Sequence, residues 1–218
     1  DFTKDFAALS PDQFIDEILV KKLSATHVVV GENFTFGHKA EGTAHYLQSL
    51  DKGFKTTIVK LSQNRGNPIS SSRIRGLIFD GDVERASELL TRNHYLVGPV
   101  VHGEKRGREL GYPTANMSVS GLHLPRLGVY AVKVDILTGP QIGSYLGAAS
   151  LGVRPMFGVN KPNLESFIFD FKGDLYGHHL SIGLVDYLRP EMKFDGLPGL
   201  LDQMARDCDQ ARAILAAL

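Results

Sequence analysis

Between Leu96 and Leu188 the chain passes through one short β-branched segment after another, with glycine or proline at the joints and no helical periodicity between them. Parallel strands need a long crossover, usually a helix, so strands joined this way pair antiparallel and build a barrel or a sandwich. The clearest segment is Val129–Ile136. Tyr130, Val132, Val134 and Ile136 occupy one face, Lys133 and Asp135 the other, with Ala131 between them. Leu96–His102, Tyr145–Leu151, Leu164–Phe171 and Leu180–Leu188 supply further strands. A helix from about Leu197 carries an apolar stripe through Leu200, Leu201, Met204, Ala211 and Leu215, which suits it to cover the barrel.

The first third follows a different rule. Ser10, Pro11 and Gln13 form a capping box ahead of Phe14, Ile15, Ile18 and Leu19 at helical spacing. Thr26–Val30 reads as a buried strand, Thr43–Leu50 as a helix and Lys55–Leu61 as a second strand. That alternation predicts a parallel α/β sheet. Two strands are fewer than such a domain uses, so the rest are expected upstream of Asp1, and the non-Met start suggests a fragment, a processed product or a chain trimmed at its start. A polar loop at Gln63–Pro68 precedes a helix opened by Ser70–Ser72, and Asp82 caps another. The expected domains are residues 1–90 and 91–218.

Composition excludes several classes. Lys plus Arg and Asp plus Glu number 24 each, which argues against broad binding to nucleic acid or to an anionic membrane. The one cysteine, Cys208, cannot form an internal disulfide. No apolar run approaches the ~20 residues a membrane-spanning helix needs, and the simplest location is the cytoplasm. The eight histidines show no zinc spacing.

Chemistry concentrates in Gly98–Asn116. Gly98, Gly103, Gly107 and Gly111 let backbone turn and approach a ligand, while Lys105, Arg106 and Arg108 add positive charge. Backbone amides with cations suit a polyphosphate; a basic surface hairpin is the bland alternative. In Pro113-Thr114-Ala115-Asn116 a hydroxyl and an amide two residues apart point the same way on an extended segment, a pair able to hold Mg²⁺ and phosphate oxygens. Glu165 shares the predicted face of its strand with Phe167, Phe169 and Phe171. A carboxylate in that company lies either at the end of a buried face or in a pocket, where partial desolvation would make it a better base. Asp170, on the opposite face, reads as a solvated or turn residue.

From Gly98-Pro-Val-Val-His-Gly through Gly-Arg-Glu-Leu-Gly-Tyr-Pro-Thr-Ala-Asn116, then Gly128-Val-Tyr-Ala-Val132, Leu151-Gly-Val-Arg-Pro155, Leu164-Glu165, Asp174-Leu-Tyr-Gly177 and Leu188-Arg-Pro-Glu-Met-Lys-Phe194, the chain resembles the bacterial riboflavin kinase module over roughly residues 95–210. The resemblance implies a six-stranded antiparallel barrel with a C-terminal helix. It implies transfer of the ATP γ-phosphate to the 5′-hydroxyl of riboflavin, giving FMN, with Mg²⁺. It also assigns roles: Gly98, Gly103, Lys105, Gly107, Arg108 and Gly111 around the ATP phosphates; Thr114 and Asn116 on metal and phosphate; Glu165 as general base; Arg189 and Phe194 over the flavin. Met156 departs from the family's Arg-Pro-Thr-Phe, which suggests altered affinity. No Gly-x-x-x-x-Gly-Lys-Ser/Thr loop is present, so the resemblance is not to P-loop kinases.

The N-terminal third resembles the adenylyltransferase half of the bifunctional riboflavin kinase/FMN adenylyltransferase family, a Rossmann-like nucleotidyltransferase incomplete here. Gly31-Glu-Asn33-Phe-Thr-Phe-Gly37 is similar to its Gly-x-Asp-Phe-x-Phe-Gly, and Ile69-Ser70-Ser71-Ser72-Arg73-Ile74-Arg75 to its Ile-Ser-Ser-Thr-x-Ile-Arg. There, Ser70, Ser71 and Arg75 would meet the triphosphate at a helix N-terminus; N-capping is the simpler role. The family's His-x-Gly-His is absent, from which loss of FAD synthesis is expected. The competing readings are a flavin- or nucleotide-binding barrel without catalysis and a small nucleic-acid-binding barrel. Thr114, Asn116 and Glu165 favour the kinase over the first. Neutral charge and the lack of a basic, aromatic-studded strand face count against the second.

Overall fold

The computed structural model describes residues 1–103, 107, 110–156 and 159–218, and of residues 154–156 and 159–161 the backbone only. Lys105, Arg106, Arg108 and the side chain of Met156 therefore lie outside the described residues. The chain divides into two compact units, Asp1–Ile69 and Ser70–Leu218.

In the first unit Ser10 accepts from the Gln13 amide at 3.2 Å and Gln13 accepts from the Ser10 amide at 2.9 Å, the capping box the sequence predicts. The helix then continues over Phe14–Lys22 (α1) with i→i+5 bonding, burying Ile15 and Leu19. Strands β1 (His27–Gly31) and β2 (Lys55–Val59) pair in parallel, and α2 (Ala44–Ser49), capped by Thr43, precedes β2. The Thr26–Val30 run is not wholly buried as expected. Val28 and Val30 pack against the cluster of Ile15, Leu19, Phe36, Leu47 and Phe54, but Val29 is 60% and Val59 50% exposed. Only one face of this ribbon is covered in the unit, and successive side chains alternate between faces.

The second unit opens with α3 (Ser71–Asp80) and α4 (Val83–Leu90). Six strands follow: β3 (His94–Val101), β4 (Thr114–Ser118), β5 (Gly128–Ile136), β6 (Gly143–Met156), β7 (Val159–Ile168) and β8 (His179–Arg189). They close in the order β6-β7-β4-β3-β8-β5, every pairing antiparallel. Closure gives every strand two neighbours. The alternation expected for Val129–Ile136 is present: Tyr130, Val132, Val134 and Ile136 are each at most 2% exposed and meet Leu96, Leu151, Leu164, Leu180, Ile182 and Leu184 inside the barrel. Truncating such a buried leucine or isoleucine to alanine costs roughly 2–5 kcal/mol.

The compact division falls after Ile69, before the boundary expected at 90/91, because both helices are built onto the barrel. Val83 joins the barrel core. The Arg126 amide donates to the Ile78 carbonyl at 3.2 Å, and His123 Nε2 lies 3.3 Å from the Arg75 carbonyl oxygen.

One further helix, α5 (Leu197–Ala216), lies on the outside of the barrel. Ala211 and Leu215 pack there against Ala131 and Ala148, which point outward between the core-facing residues of β5 and β6, and against Phe169 just past the end of β7. Phe171 departs from the expected face. The strand ends at Ile168, Asp170 takes a left-handed φ of 55°, and the reversal carries Phe171 onto the barrel core instead. Asp170 is a turn residue, as predicted, and pairs with Arg212 of α5 at 2.9 Å.

Candidate active site

The site begins as a row of backbone partners across three strands. Ser150 of β6 pairs with Glu165 of β7, which pairs with Asn116 of β4. Ala115 and Met117 face the barrel core, so Thr114 and Asn116 face outward, as do Glu165, Phe167 and Phe169. Two segments far apart in sequence thus converge through register alone. The Thr114 hydroxyl donates to Glu165 Oε2 at 3.5 Å across 51 positions.

Asn116, only 8% exposed, is held on both ends of its amide. Its Nδ2 donates to the Thr114 carbonyl at 3.3 Å and reaches Thr114 Oγ1 at 3.5 Å. Its Oδ1 accepts from Asn163 Nδ2 at 3.1 Å. Asn163 and Ser150 are site neighbours that motif reasoning passed over. Neither belongs to a recognisable pattern, and only strand register reveals them.

The glycines separate into different roles. A Cβ on Gly103 would stand 2.6 Å from the Asn116 amide group, and one on Gly107 2.3 Å from the Tyr112 carbonyl oxygen. These two bring backbone against the Thr114–Asn116 segment. Gly111, at φ +83°, serves a turn with open space beside it. Gly98 stands apart from the group: it is buried within β3, where a Cβ would meet Met117 at 3.0 Å. The alternation of β3 turns it toward the barrel interior.

Two clefts meet at Thr114. One, of about 360 Å³, runs from Thr114, Ser150 and Glu165 to Phe194, Met204 and Cys208. Burial pushes the Cys208 thiol up to about 11, which makes it unreactive as a nucleophile near neutral pH. The other cleft, of about 290 Å³, lies between Thr114, Ser166 and the turn containing Asp174 and Tyr176. The His102 ring lies against Tyr176 with centroids 4.0 Å apart.

Arg189 and Phe194 are brought to the first cleft, but not as equals. The Arg189 guanidinium is turned into the fold: Nε donates to Asp207 Oδ1 at 2.8 Å, Nη2 to Asp207 Oδ2 at 2.7 Å and Nη1 to the Pro190 carbonyl at 2.9 Å. Three of its five N–H donors are so engaged, and Arg189 lines the cleft with them. Phe194 keeps its place on the cleft, its ring centroid 5.9 Å from the Arg189 guanidinium carbon.

The adenylyltransferase-like residues are divided between the two units. Asn33 is exposed in the turn after β1. Ser70 caps α3, accepting from the Arg73 amide at 3.2 Å, while Ser71 and Arg75 are exposed on its first turns. Among the described residues no three His, Cys, Asp or Glu side chains cluster to hold a metal, and no helix is long and apolar enough to cross a membrane.

Comparison with known proteins fits this geometry. A family model described as riboflavin kinase matches residues 90–215, and one described as FAD synthetase matches residues 1–73. The class is therefore a flavin-kinase barrel, a phosphotransferase, preceded by part of an FAD-synthetase domain. A bifunctional riboflavin kinase/FMN adenylyltransferase from Listeria monocytogenes is 40% identical over 220 residues, covering 100% of this chain and 68% of that one. Its Bacillus subtilis counterpart is 36% identical over 215 residues, covering 96% of this chain and 66% of that one. A solved structure described as a macrolide-efflux protein from Streptococcus pneumoniae shares 36% identity at a TM-score of 0.83, covering 95% of this chain and 66% of that one. The chain spans about two thirds of the length of these relatives. It belongs to the bifunctional riboflavin kinase/FMN adenylyltransferase family.

Proposed function

We propose that this chain transfers the γ-phosphoryl group of ATP to the 5′-hydroxyl of riboflavin, giving FMN and ADP, at the meeting point of its two clefts. The observation that carries the reading is the Asn116–Glu165 strand pair, with Thr114 beside it and shared by both cavities. The 360 Å³ cleft, walled by Phe167, Phe194, Leu200 and Met204, suits the flat apolar isoalloxazine. The second cleft and the close backbone of Gly103 and Gly107 suit ATP.

In this reading Glu165 orients the 5′-hydroxyl and takes its proton as the P–O bond to the flavin forms and the bond to ADP breaks. Phosphoryl transfer asks the protein mainly for positioning and charge neutralisation. Lys105 and Arg108 are proposed to add positive charge at the phosphates. Mg²⁺ is a hard cation that takes oxygen ligands, one or two of them carboxylates, along with substrate phosphates. The Thr114 hydroxyl and the Asn116 amide oxygen, next to the Glu165 carboxylate, fit that requirement and would hold the ion. When bound it would offset charge on the phosphate oxygens. We further read riboflavin, ATP and FMN as the partners. Consumption of ATP points to the cytoplasm as the place of work.

The test is direct. The protein is mixed with riboflavin, [γ-³²P]ATP and Mg²⁺, and flavins are separated by chromatography. Label is expected in FMN. Riboflavin that binds without label transfer would instead support a flavin-binding barrel without catalysis.

A further inference from the structure

The wall of the larger cleft contains a buried ion pair that the proposed chemistry does not use. Asp207 sits in the middle of α5, its carboxylate only 7% exposed, against Arg189 at 16%. Both Asp207 oxygens accept from the guanidinium, and Gln203 Nε2 adds a donor to Oδ1 at 2.9 Å. Removing two charges from water is expensive, and an apolar pair in their place would often be at least as stable. What a forked guanidinium–carboxylate contact supplies beyond stability is fixed distance and fixed plane.

The plane it fixes bears on the cleft. Residues 190–196 form an irregular strap between β8 and α5, and Glu191, Met192 and Phe194 of the strap line the cavity. Arg189 grips the strap twice, through the Pro190 carbonyl at 2.9 Å and beneath the Phe194 ring at 5.9 Å. The strap also rests on β6, where a Cβ at Gly152 would stand 2.3 Å from Glu191 Oε1. We infer that Asp207 is a positioning residue for the flavin: its carboxylate oxygens are taken up by Arg189 and Gln203, and it acts through Arg189 to hold Phe194 and the strap over the bound ring. The inference rests on the flavin occupying this cleft.

The test measures riboflavin dissociation constants by quenching of flavin fluorescence, with KM for both substrates and kcat, in the full chain. Variants are Asp207→Asn, Phe194→Ala and the double substitution. Asp207→Asn is expected to weaken riboflavin binding about tenfold, with the ATP KM and kcat within about threefold of wild type. The double variant is expected to bind riboflavin within about twofold of the weaker single variant, since both act through one contact. Unchanged riboflavin affinity in Asp207→Asn, an equal rise in the ATP KM, or multiplicative effects in the double variant would overturn the inference. If Asp207→Asn does not fold, Gln203→Leu, which strips Asp207 of one donor, carries the same test. Riboflavin affinity should then fall about threefold with the ATP KM unchanged, and no fall would overturn the inference. Wild-type protein that makes no FMN counts against phosphotransfer itself. Wild-type protein that makes FMN, beside an Asp207→Asn variant that binds normally, counts against the positioning role alone.

Discussion

The two sides of the cleft are built by different means. On one side, Thr114, Asn116 and Glu165 stand on adjacent strands of a closed barrel, and the hydrogen-bond ladder sets their spacing. On the other, Phe194 stands on an irregular strap whose grip runs through the side chains of Arg189 and Asp207. A ladder holds position with many cooperative backbone bonds, whereas this tether depends on a few side-chain contacts. In the proposed reading backbone bonds hold the reacting groups and side-chain contacts hold the wall over the flavin, so substitutions on the two sides should fail differently.

The largest effect is expected on the ladder side. Glu165→Gln should lower kcat by about 10³-fold, within the usual worth of a general base, with riboflavin and ATP affinities little changed. Steady-state FMN formation measures this. A kcat within fivefold of wild type would remove Glu165 from the proton transfer.

Next, Gly103→Val should lower kcat/KM for ATP by about 10²-fold, since its Cβ would stand 2.6 Å from the Asn116 amide and a 1 Å misplacement costs that much. Unchanged ATP kinetics would show that close backbone approach at Gly103 is not needed.

On the tethered side Phe194→Ala should raise the riboflavin KM about tenfold with kcat nearly preserved, the mark of lost uniform binding. A fall in kcat equal to that of Glu165→Gln would erase the contrast between the two sides.

The smallest effect concerns Cys208 on the same wall. With its thiol pushed up to about 11, its thiolate is scarce below that pH. Iodoacetamide at pH 8 should modify it about 100-fold more slowly than a free thiol, and modification should slow further when riboflavin is bound. The sign follows from the raised value. The folded protein holds the thiol proton past the pH at which the unfolded chain loses it, so Cys208 contributes stability below about pH 9 that is lost as pH rises toward 11. Labelling at free-thiol speed would contradict this.

The ladder side was also the legible one. Alternation in Val129–Ile136 predicts which residues face the core, and the same period of two puts Thr114 with Asn116 and Glu165 with Phe167 and Phe169, but it leaves open which face of Leu164–Phe171 is the core one. Strand periodicity survives folding because the barrel interior enforces it. Ser150 and Asn163 were not legible, since being opposite Glu165 and within reach of Asn116 depends on register between strands. The Arg189–Asp207 pair spans a strand end and a helix, so no local period connects its members. Phe171 was misplaced because a left-handed φ at Asp170 is invisible to a period of two. The exposure of Val29 and Val59 follows from which faces are covered, and a β-branched run alone does not report that. The seating of α3 and α4 on the barrel was likewise hidden, because Val83 looks like an ordinary apolar helix residue until it is found in the core.

The measurement that bears most directly on the whole account is a structure of the protein with riboflavin and a non-hydrolysable ATP analogue. The isoalloxazine is expected under Phe194, the 5′-hydroxyl about 3 Å from a Glu165 carboxylate oxygen, and the terminal phosphate against Thr114 and Asn116. A flavin seated elsewhere, or seated there with its 5′-hydroxyl turned from Glu165, would contradict it.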